Sequence, residues 1–533
     1  MNTREIMEYC KQNGIVLGVV DGKLKLHAPD DKLNKELLDN IRNKKKELLN
    51  IFKQSEYFTV SDFPNARLSQ QAWEQIKHQY PDFYKLYIAT PLQTEMWFRG
   101  IGKQNRETCV TQYCYEVSGE LEPVDVLNAW QSVVNRHDIL RTGFVETGPG
   151  SLHQFVYKTL DVISDYTYQM PRWCIDWSSV DEGQQEQLWK QFKSRDKAQK
   201  VDLSKPLLTR LRLIKTGKKH SYLIFTYPYF LMDEWCISVL LNELLDDVGK
   251  SVVGKVFDSS VALPYEEHIH WLLQQDPGLT RKHWQKHLNR ISLPTLLAHP
   301  IDDIEKELPA SWISSISFSS ESTKKLQALA HEHCTALGTI LHAAWAVILR
   351  HYCGGTSVVY GGVFPCKSLR LEGNEKMLGQ FVNLVPVLID FSGVELIKHL
   401  LDVVHEGTLK CQEYSCLPLS EVLAYSGLTS DEPLFDSLLI FENSLSGYKQ
   451  PQASNLLPGF SIENLEPEYL ISYPVIIRAQ LLAEELSVRF TFDAEFLTED
   501  KSKKLSKQFE QVLKRLSEGH QSDLVSSLVG AEF

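Results

Sequence analysis

The residues best suited to chemistry in this sequence lie in the stretch TYPYFLMDEW, residues 226–235, where the phenol of Tyr229 is followed by two adjacent carboxylates, Asp233 and Glu234. An apolar, strand-like run from Tyr222 to Tyr227 stops at Pro228, and a helix-patterned run opens at the acid pair. Strand-to-helix junctions of this kind are where α/β proteins present reacting groups. A phenol of pKa near 10 is only about 0.1% phenolate at pH 7, so Tyr229 is a poor base unless its surroundings perturb it. Glu234 could accept a proton; equally, a carboxylate in the first helical turn serves the helix dipole. Pro228 fixes φ and removes a backbone donor, so the junction's conformation is itself constrained.

The remaining candidates offer less. His268 and His270 precede a helical Trp271 with no third ligand in reach, so no metal site is expected. The ten cysteines form no CxxC pair, which argues against structural zinc. A disulfide framework is not expected either; the thiols read as buried or incidental ones of a cytoplasmic protein.

The elements that must hold these groups belong to a chain of 533 residues, enough for two or more folding units. Hydrophobic residues at 43% and charged ones at 23% are the proportions of a soluble globular protein. The polar N-terminus, MNTREIMEYC, has no apolar signal core, and no run reaches the length of a membrane span. A net charge of −12 excludes a general affinity for nucleic acid or for anionic membranes. That charge is uneven: residues 1–54 carry about +3 and the rest about −15, the asymmetry of a separate module.

Within that module residues 3–12 read as a short helix, and GIVLGVVDGKLKLHAP gives two short strands around Asp21-Gly22, a dipeptide suited to a tight hairpin turn. Leu24 and Leu26 fall on one face of the second strand, and Lys23, Lys25 and His27 on the other. A basic, amphipathic helix follows, with Leu37, Leu38 and Ile41 in helical register. Such a hairpin leaves an edge open to an incoming strand. Residues 55–84 read as a linker, and beyond them strand-like and helix-like stretches alternate without repeats.

The helix–hairpin–helix pattern of residues 1–54 resembles the β-hairpin docking domains of nonribosomal peptide synthetase subunits. The resemblance implies that an acidic C-terminal tail of an upstream subunit is captured on the hairpin edge. The docking residues it implies are Val19, Val20, Lys23, Leu24 and Lys25, with Lys44, Lys45 and Lys46 on the helix. A solvated face is the plainer account of those last three lysines.

Six segments further on resemble, in order, the motif series of peptide synthetase condensation domains: TPLQTEMW (90–97), RHDILRTGF (136–144), YPYFLMDEW (227–235), YEEHIHW (265–271), MLGQFVNLVPV (377–387) and LFDSLLIFEN (434–443). The resemblance implies an α/β fold of two chloramphenicol acetyltransferase-like lobes in a V-shaped pseudo-dimer, with the active site in a tunnel between them. Residues 85–255 would form the N-lobe, 256–520 the C-lobe and 521–533 a tail. It further implies that the family's HHxxxDG motif is PYFLMDE here. Pro228 and Tyr229 then stand in place of the two histidines, Asp233 in place of the structural aspartate and Glu234 in place of the glycine. Trp235, Arg141 and Asn383 fall in matched motifs, and Lys367 falls where a basic partner of the aspartate is expected.

No cofactor of its own is implied; the acyl substrate would arrive on the phosphopantetheine arm of a partner carrier protein. Neither a nucleotide loop of the adenylation type nor a carrier serine motif is found, so a condensation subunit supplied in trans is expected, similar to terminal, chain-releasing subunits of the rhabdopeptide-like type that couple a peptidyl thioester to a free amine. With both histidines gone, a non-catalytic platform that binds the loaded carrier and recruits another enzyme is the alternative. An excised fragment of a longer synthetase is a third possibility.

Overall fold

The computed structural model describes Ile6, Tyr9, Cys10 and residues 15–20, 23–27 and 35–45 of the N-terminal region, and residues 58–530 except 82, 100–109, 167–172, 258–259, 290, 292, 300–308, 368–371, 427–432, 443–460, 469–472, 483 and 520–522. At the front, strands β1 (Val16–Val20) and β2 (Lys23–His27) pair antiparallel with Val20 opposite Lys23, the register of a two-residue turn. Helix α1 (Lys35–Asn43) packs Leu37 and Ile41 with Ile6, Cys10 and Ile15, and Leu24 and Leu26 lie against this small core. The backbones of Val19, Val20, Lys23 and Lys25 are in the hairpin; Lys44 is half-buried, Lys45 is exposed, and Lys46 lies outside the described residues.

The segment expected to be a linker is folded. Its described part carries two 3₁₀ turns and helix α2 (Gln70–Gln79), which starts on a Ser69 side-chain cap. Phe63, Trp73, Ile76 and Tyr80 form an aromatic core with Phe83, Val145 and Phe155. The sequence contained the signal, because its apolar residues are large and recur at helical spacing.

Strands β3 (Phe83–Ile88), β5 (Thr142–Gly148) and β6 (Ser151–Tyr157) form a three-stranded sheet. Helix α3 (Pro91–Arg99) follows β3. The larger sheet of the first lobe runs β14-β4-β9-β8-β7, with β4 at Val110–Ser118, β7 at Cys174–Asp176, β8 at Arg210–Lys215, β9 at His220–Pro228 and β14 at Ser461–Glu468. Helices α4 (Pro123–Arg136) and α6 (Glu234–Val252) cover one face of it, and α5 (Glu182–Ala198) the other. Strand β9 therefore sends Leu223, Phe225 and Tyr227 into one core and Ile224 into the second, which is why it reads as an unbroken apolar run.

Helices α7 (Tyr265–Leu273) and α8 (Pro277–Leu288) lead to the second lobe, a six-stranded sheet ordered β10-β16-β15-β13-β11-β12. Its strands are β10 (Ser311–Phe318), β11 (Ser357–Pro365), β12 (Val382–Asp390), β13 (Ser437–Phe441), β15 (Val475–Leu482) and β16 (Glu485–Asp493). Helices α9 (Ser320–Glu332), α10 (Leu337–Cys353), α11 (Ile397–Glu413) and α13 (Glu499–Glu518) pack on one face, and the short α12 (Leu419–Leu423) follows α11. Ile477, Ala479, Val488 and Phe490 point into that core, so the alternate residues Arg478 and Arg489, opposite each other in register, lie on the other face.

The lobes are interleaved more than a boundary at residue 255 implies. Strand β14 comes from the C-lobe half of the sequence yet pairs with β4, and Met377, Leu378 and Phe381 sit in the first lobe's core. The described part of the expected tail is packed: Val525 and Leu528 are buried in the second core, and Leu524 bridges Leu396. A disulfide, against expectation, joins Cys366 to Cys416, tying the end of β11 to the α11–α12 turn. No single helix among the described residues is long and apolar enough to cross a membrane, and none of their His, Cys, Asp and Glu side chains cluster as a metal site.

Candidate functional site: the β9–α6 junction and its supports

Pro228 closes β9, opposite Val110, and its carbonyl accepts from Leu231 N–H at 2.9 Å, turning the chain towards α6. Asp233 is the N-cap residue of α6 and Glu234 its first helical residue, with Trp235 next and half-buried. Tyr229 is buried, and its hydroxyl donates to the carbonyl of Met96 on α3 at 2.5 Å.

The opening motif explains how α3 is placed. Thr90 Oγ1 accepts from Gln93 N–H and Gln93 Oε1 accepts from Thr90 N–H, both at 3.1 Å, a reciprocal capping box with Pro91 in the first turn. Gln93 Nε2 then donates to the carbonyl of Phe230 at 3.2 Å, so the TPLQ residues grip the junction directly.

Asp233 turns inward. Its Oδ2 accepts from Phe381 N–H at 3.2 Å, its Oδ1 accepts from the Cys236 thiol at 3.3 Å, and its own N–H donates to Gly379 O at 3.2 Å. A Cβ at Gly379 would sit 2.1 Å from the Tyr265 ring, so only glycine lets this strand approach; the Tyr265 hydroxyl in turn donates to Gln380 O at 2.7 Å. Burial raises the Asp233 carboxyl above its ordinary range, opposed by hydrogen bonds and by the charge of Lys367. Burial likewise pushes Lys367 down, against the pull of Asp233.

Lys367 does not close the direct ion pair expected of it. Its ammonium donates to Asn374 O and lies 4.5 Å from the Phe381 ring centroid. Lys367 acts on Asp233 through its charge, and the hydrogen bonds of Asp233 go to the backbone and to Cys236. His268 packs beside them on Phe381 and Tyr265, and burial, then Lys367, depress its pKa to about 3.

Two other motif residues stand apart from the reacting groups. Arg141 is buried, its guanidinium spent on the carbonyls of Val134, Asn135, Tyr157 and Lys158 and on Asp138 Oδ1 at 2.5 Å. Asn383 donates to the carbonyls of Ser415 and Leu417 at 2.6 and 2.5 Å, fixing β12 beside the Cys366–Cys416 disulfide. Both side chains brace backbone. His137 is structural too, its ring nitrogen 2.8 Å from the Glu243 carboxylate on α6 while Arg136 pairs with Glu243 and Asp247.

Glu234 reaches across to the second lobe. Its Oε2 lies 2.8 Å from Nη1 of Arg478 on β15, and the same Nη1 lies 2.5 Å from Oε1 of Glu442, just past β13. Two carboxylates sharing one guanidinium nitrogen at the seam between lobes is an arrangement the sequence reading missed, although an arginine in the apolar strand VIIRAQLL and the acid ending LLIFE were its signals.

The model of the condensation domain matches residues 84–529, and that of the TubC N-terminal docking domain residues 4–54. The chain belongs to the condensation-domain family. Among curated proteins, bacitracin synthase 3 of Bacillus licheniformis is 26% identical over 453 residues, covering 83% of this chain and 7% of that protein. Tyrocidine synthase 2 of Brevibacillus parabrevis is 27% identical over 438 residues, covering 82% of this chain and 12% of its own length. The chain thus spans a small fraction of the relatives it matches.

Among solved structures, the cyclization-docking bidomain of the synthetase EpoB from Sorangium cellulosum has a TM-score of 0.64 at 14% identity, over 98% of this chain and 99% of that one. The X-domain from teicoplanin biosynthesis, solved in complex with OxyB, has a TM-score of 0.63 at 18% identity, over 83% and 95% of the two chains. The condensation domain here shares their two-lobed, chloramphenicol acetyltransferase-like architecture, preceded by a docking module.

Proposed function

We propose that this chain is a condensation subunit of nonribosomal peptide synthesis that joins a peptidyl thioester, carried on the phosphopantetheine arm of a partner carrier protein, to a free amine, and so releases the chain. Its docking hairpin would receive the acidic C-terminal tail of the upstream subunit. The observation that carries this reading is an intact support around an altered motif. The TPLQ capping box still grips Phe230, and Asp233 is still held by Gly379 and Phe381, while only the two histidine positions, Pro228 and Tyr229, have lost their bases.

Magnitudes favour retained activity. General-base assistance contributes about 10²–10⁴ in rate, whereas holding thioester and amine together supplies effective molarities of about 10⁵–10⁸ M. Positioning is the larger effect. The test is mass spectrometry of an upstream carrier loaded with peptidyl thioester, incubated with this protein and a panel of amines. Amide appearing only with the protein is expected.

A second reading, a platform that binds the loaded carrier and recruits a partner enzyme, draws on the burial of Tyr229 against Met96 and on the likeness to the X-domain solved with OxyB. Carrier binding without amide formation for any amine would select it.

A further inference from the structure

The fold joins one cysteine pair, Cys366 to Cys416, and leaves the seven other cysteines among the described residues free. The bond sits where two threads of contact leave the β9–α6 junction. Cys366 N–H donates to Phe381 O at 2.7 Å, and Phe381 N–H is the group that holds Asp233 Oδ2. Four residues beyond Cys416, Ser420 N–H in the first turn of α12 donates to Glu95 Oε1 on α3 at 3.1 Å. Glu95 precedes Met96, whose carbonyl accepts from Tyr229. The 366–416 loop that the bond closes also contains Gly379, whose carbonyl accepts from Asp233 N–H. One covalent bond thus ties the support of Asp233 to the support of Tyr229.

We propose that Cys366–Cys416 is a reversible thiol–disulfide site, opened by a dithiol reductant, and that its oxidation state sets how tightly the junction is held. The two ends differ in access: Cys416 is half-buried in the α11–α12 turn, and Cys366 is buried. A reductant thiolate attacks the Cys416 sulfur, the S–S bond breaks, and Cys366 leaves as a thiolate that takes up a proton. The reductant's second thiol then displaces Cys416 from the mixed disulfide. Two electrons and two protons pass to the cysteine pair, and the reductant ends as its own disulfide.

The surroundings suit a bond that is made and broken in place. Asn383 Nδ2 donates to the carbonyls on either side of Cys416, those of Ser415 and Leu417. Ser415 Oγ donates to Pro365 O, beside Cys366, at 3.0 Å. These bonds keep the two thiols in register once the sulfurs part, so re-oxidation needs no refolding. They also open with local fluctuation, which a crosslink restricts. Without the disulfide the turn leaves β11 more often, and the Ser420–Glu95 and Phe381–Asp233 hydrogen bonds open with it.

Hydrogen exchange of the full chain, read by mass spectrometry alongside the state of the bond, tests this. The bond is read by acid quenching and then alkylating the unfolded chain. Cys366 and Cys416 should be joined in the untreated protein, opened by dithiothreitol acting on the folded chain, and rejoined by its oxidised form. Amides in residues 378–383 and 415–423 should exchange about tenfold faster or more in the reduced form, with those of α10 unchanged. Cys416→Ser should show the fast exchange with or without reductant, and the wild-type comparison decides by itself if that variant fails to fold. A bond that opens only in denaturant, a pair that the oxidised reagent does not join, or equal exchange in both redox forms would overturn the inference. Neither measurement involves amide transfer, so this inference and the amide-forming reading fail independently.

Discussion

At Tyr229 the side chain and its partner set how much activity can depend on it. Its hydroxyl donates one hydrogen bond, to Met96 O, so Tyr229→Phe removes a contact of about 0.5–1.5 kcal/mol and should slow amide formation by about tenfold or less. A loss in the 10²–10⁴ range would instead make the phenol the base. Asp233 shows where sequence reasoning stopped short. Motif position identified it as structural, but an ion pair was expected, and its direct partners are Phe381 N–H and the Cys236 thiol. Removing it therefore strands a buried N–H rather than a buried cation. Asp233→Ala should cost about 1–3 kcal/mol, and Asp233→Asn much less, because an amide oxygen still accepts from Phe381. Thermal unfolding of the two variants checks this, and an equally severe asparagine variant would show that the charge itself is required. Arg141 and Asn383 illustrate the opposite limit. Their motifs were legible, but which motif residues face the reaction and which bind carbonyls depends on side-chain direction, which no linear pattern contains.

At the level of elements the sequence was most readable where periodicity was strong. Strand β9, helix α13 with Leu505, Phe509, Val512 and Leu516 on its buried face, and the Gly354-Gly355 turn between α10 and β11 all follow from apolar spacing and positive-φ glycines. The segment before β3 reads as a linker because its turns and polar residues mask the aromatic pattern of Phe63, Trp73 and Tyr80, which the fold buries together. The docking hairpin has the expected register, with Val20 opposite Lys23, and Leu24 and Leu26 lie against the small core; in the sequence Lys23 and Lys25 alternate with those leucines. An acidic C-terminal peptide should therefore bind residues 1–54 of the full chain in the micromolar range. Binding should weaken as salt rises, since exposed charges are screened over about 8 Å at physiological ionic strength. Titration against Lys23→Glu/Lys25→Glu is the measurement, and unchanged affinity would take the basic strand out of the interface.

Across the whole molecule, what escaped the sequence is the interleaving: β14 completing the first lobe's sheet, Met377 and Phe381 in its core, and Arg478 answering Glu234 from a distant strand. Such pairings join residues far apart in the chain, and no local pattern encodes them. Both lobes also bury uncharged histidines, which gives the fold a shared dependence on pH. His268, held near 3, lies beside the junction, and His342, held near 4 by burial, bonds Tyr360 in the second core. Both folded values lie below the unfolded value of about 6.5, so their contribution is complete above that pH and is lost as pH falls towards 4. Each adds a slope of up to roughly 1.4 kcal/mol per pH unit in that window. Glu442, raised to about 7, acts with the opposite sign: its contribution is lost as pH rises from its ordinary carboxylate value to about 7 and does not change further above that. Melting temperature should therefore fall as pH drops below about 6, with Glu442 offsetting part of the two histidines' slope, and these groups add no further change above about 7. His342→Gln should lose one histidine's share of the acid slope, whatever its melting temperature at pH 7. An unchanged slope in that variant would mean that His342 is already charged, or freely titrating, in the folded protein.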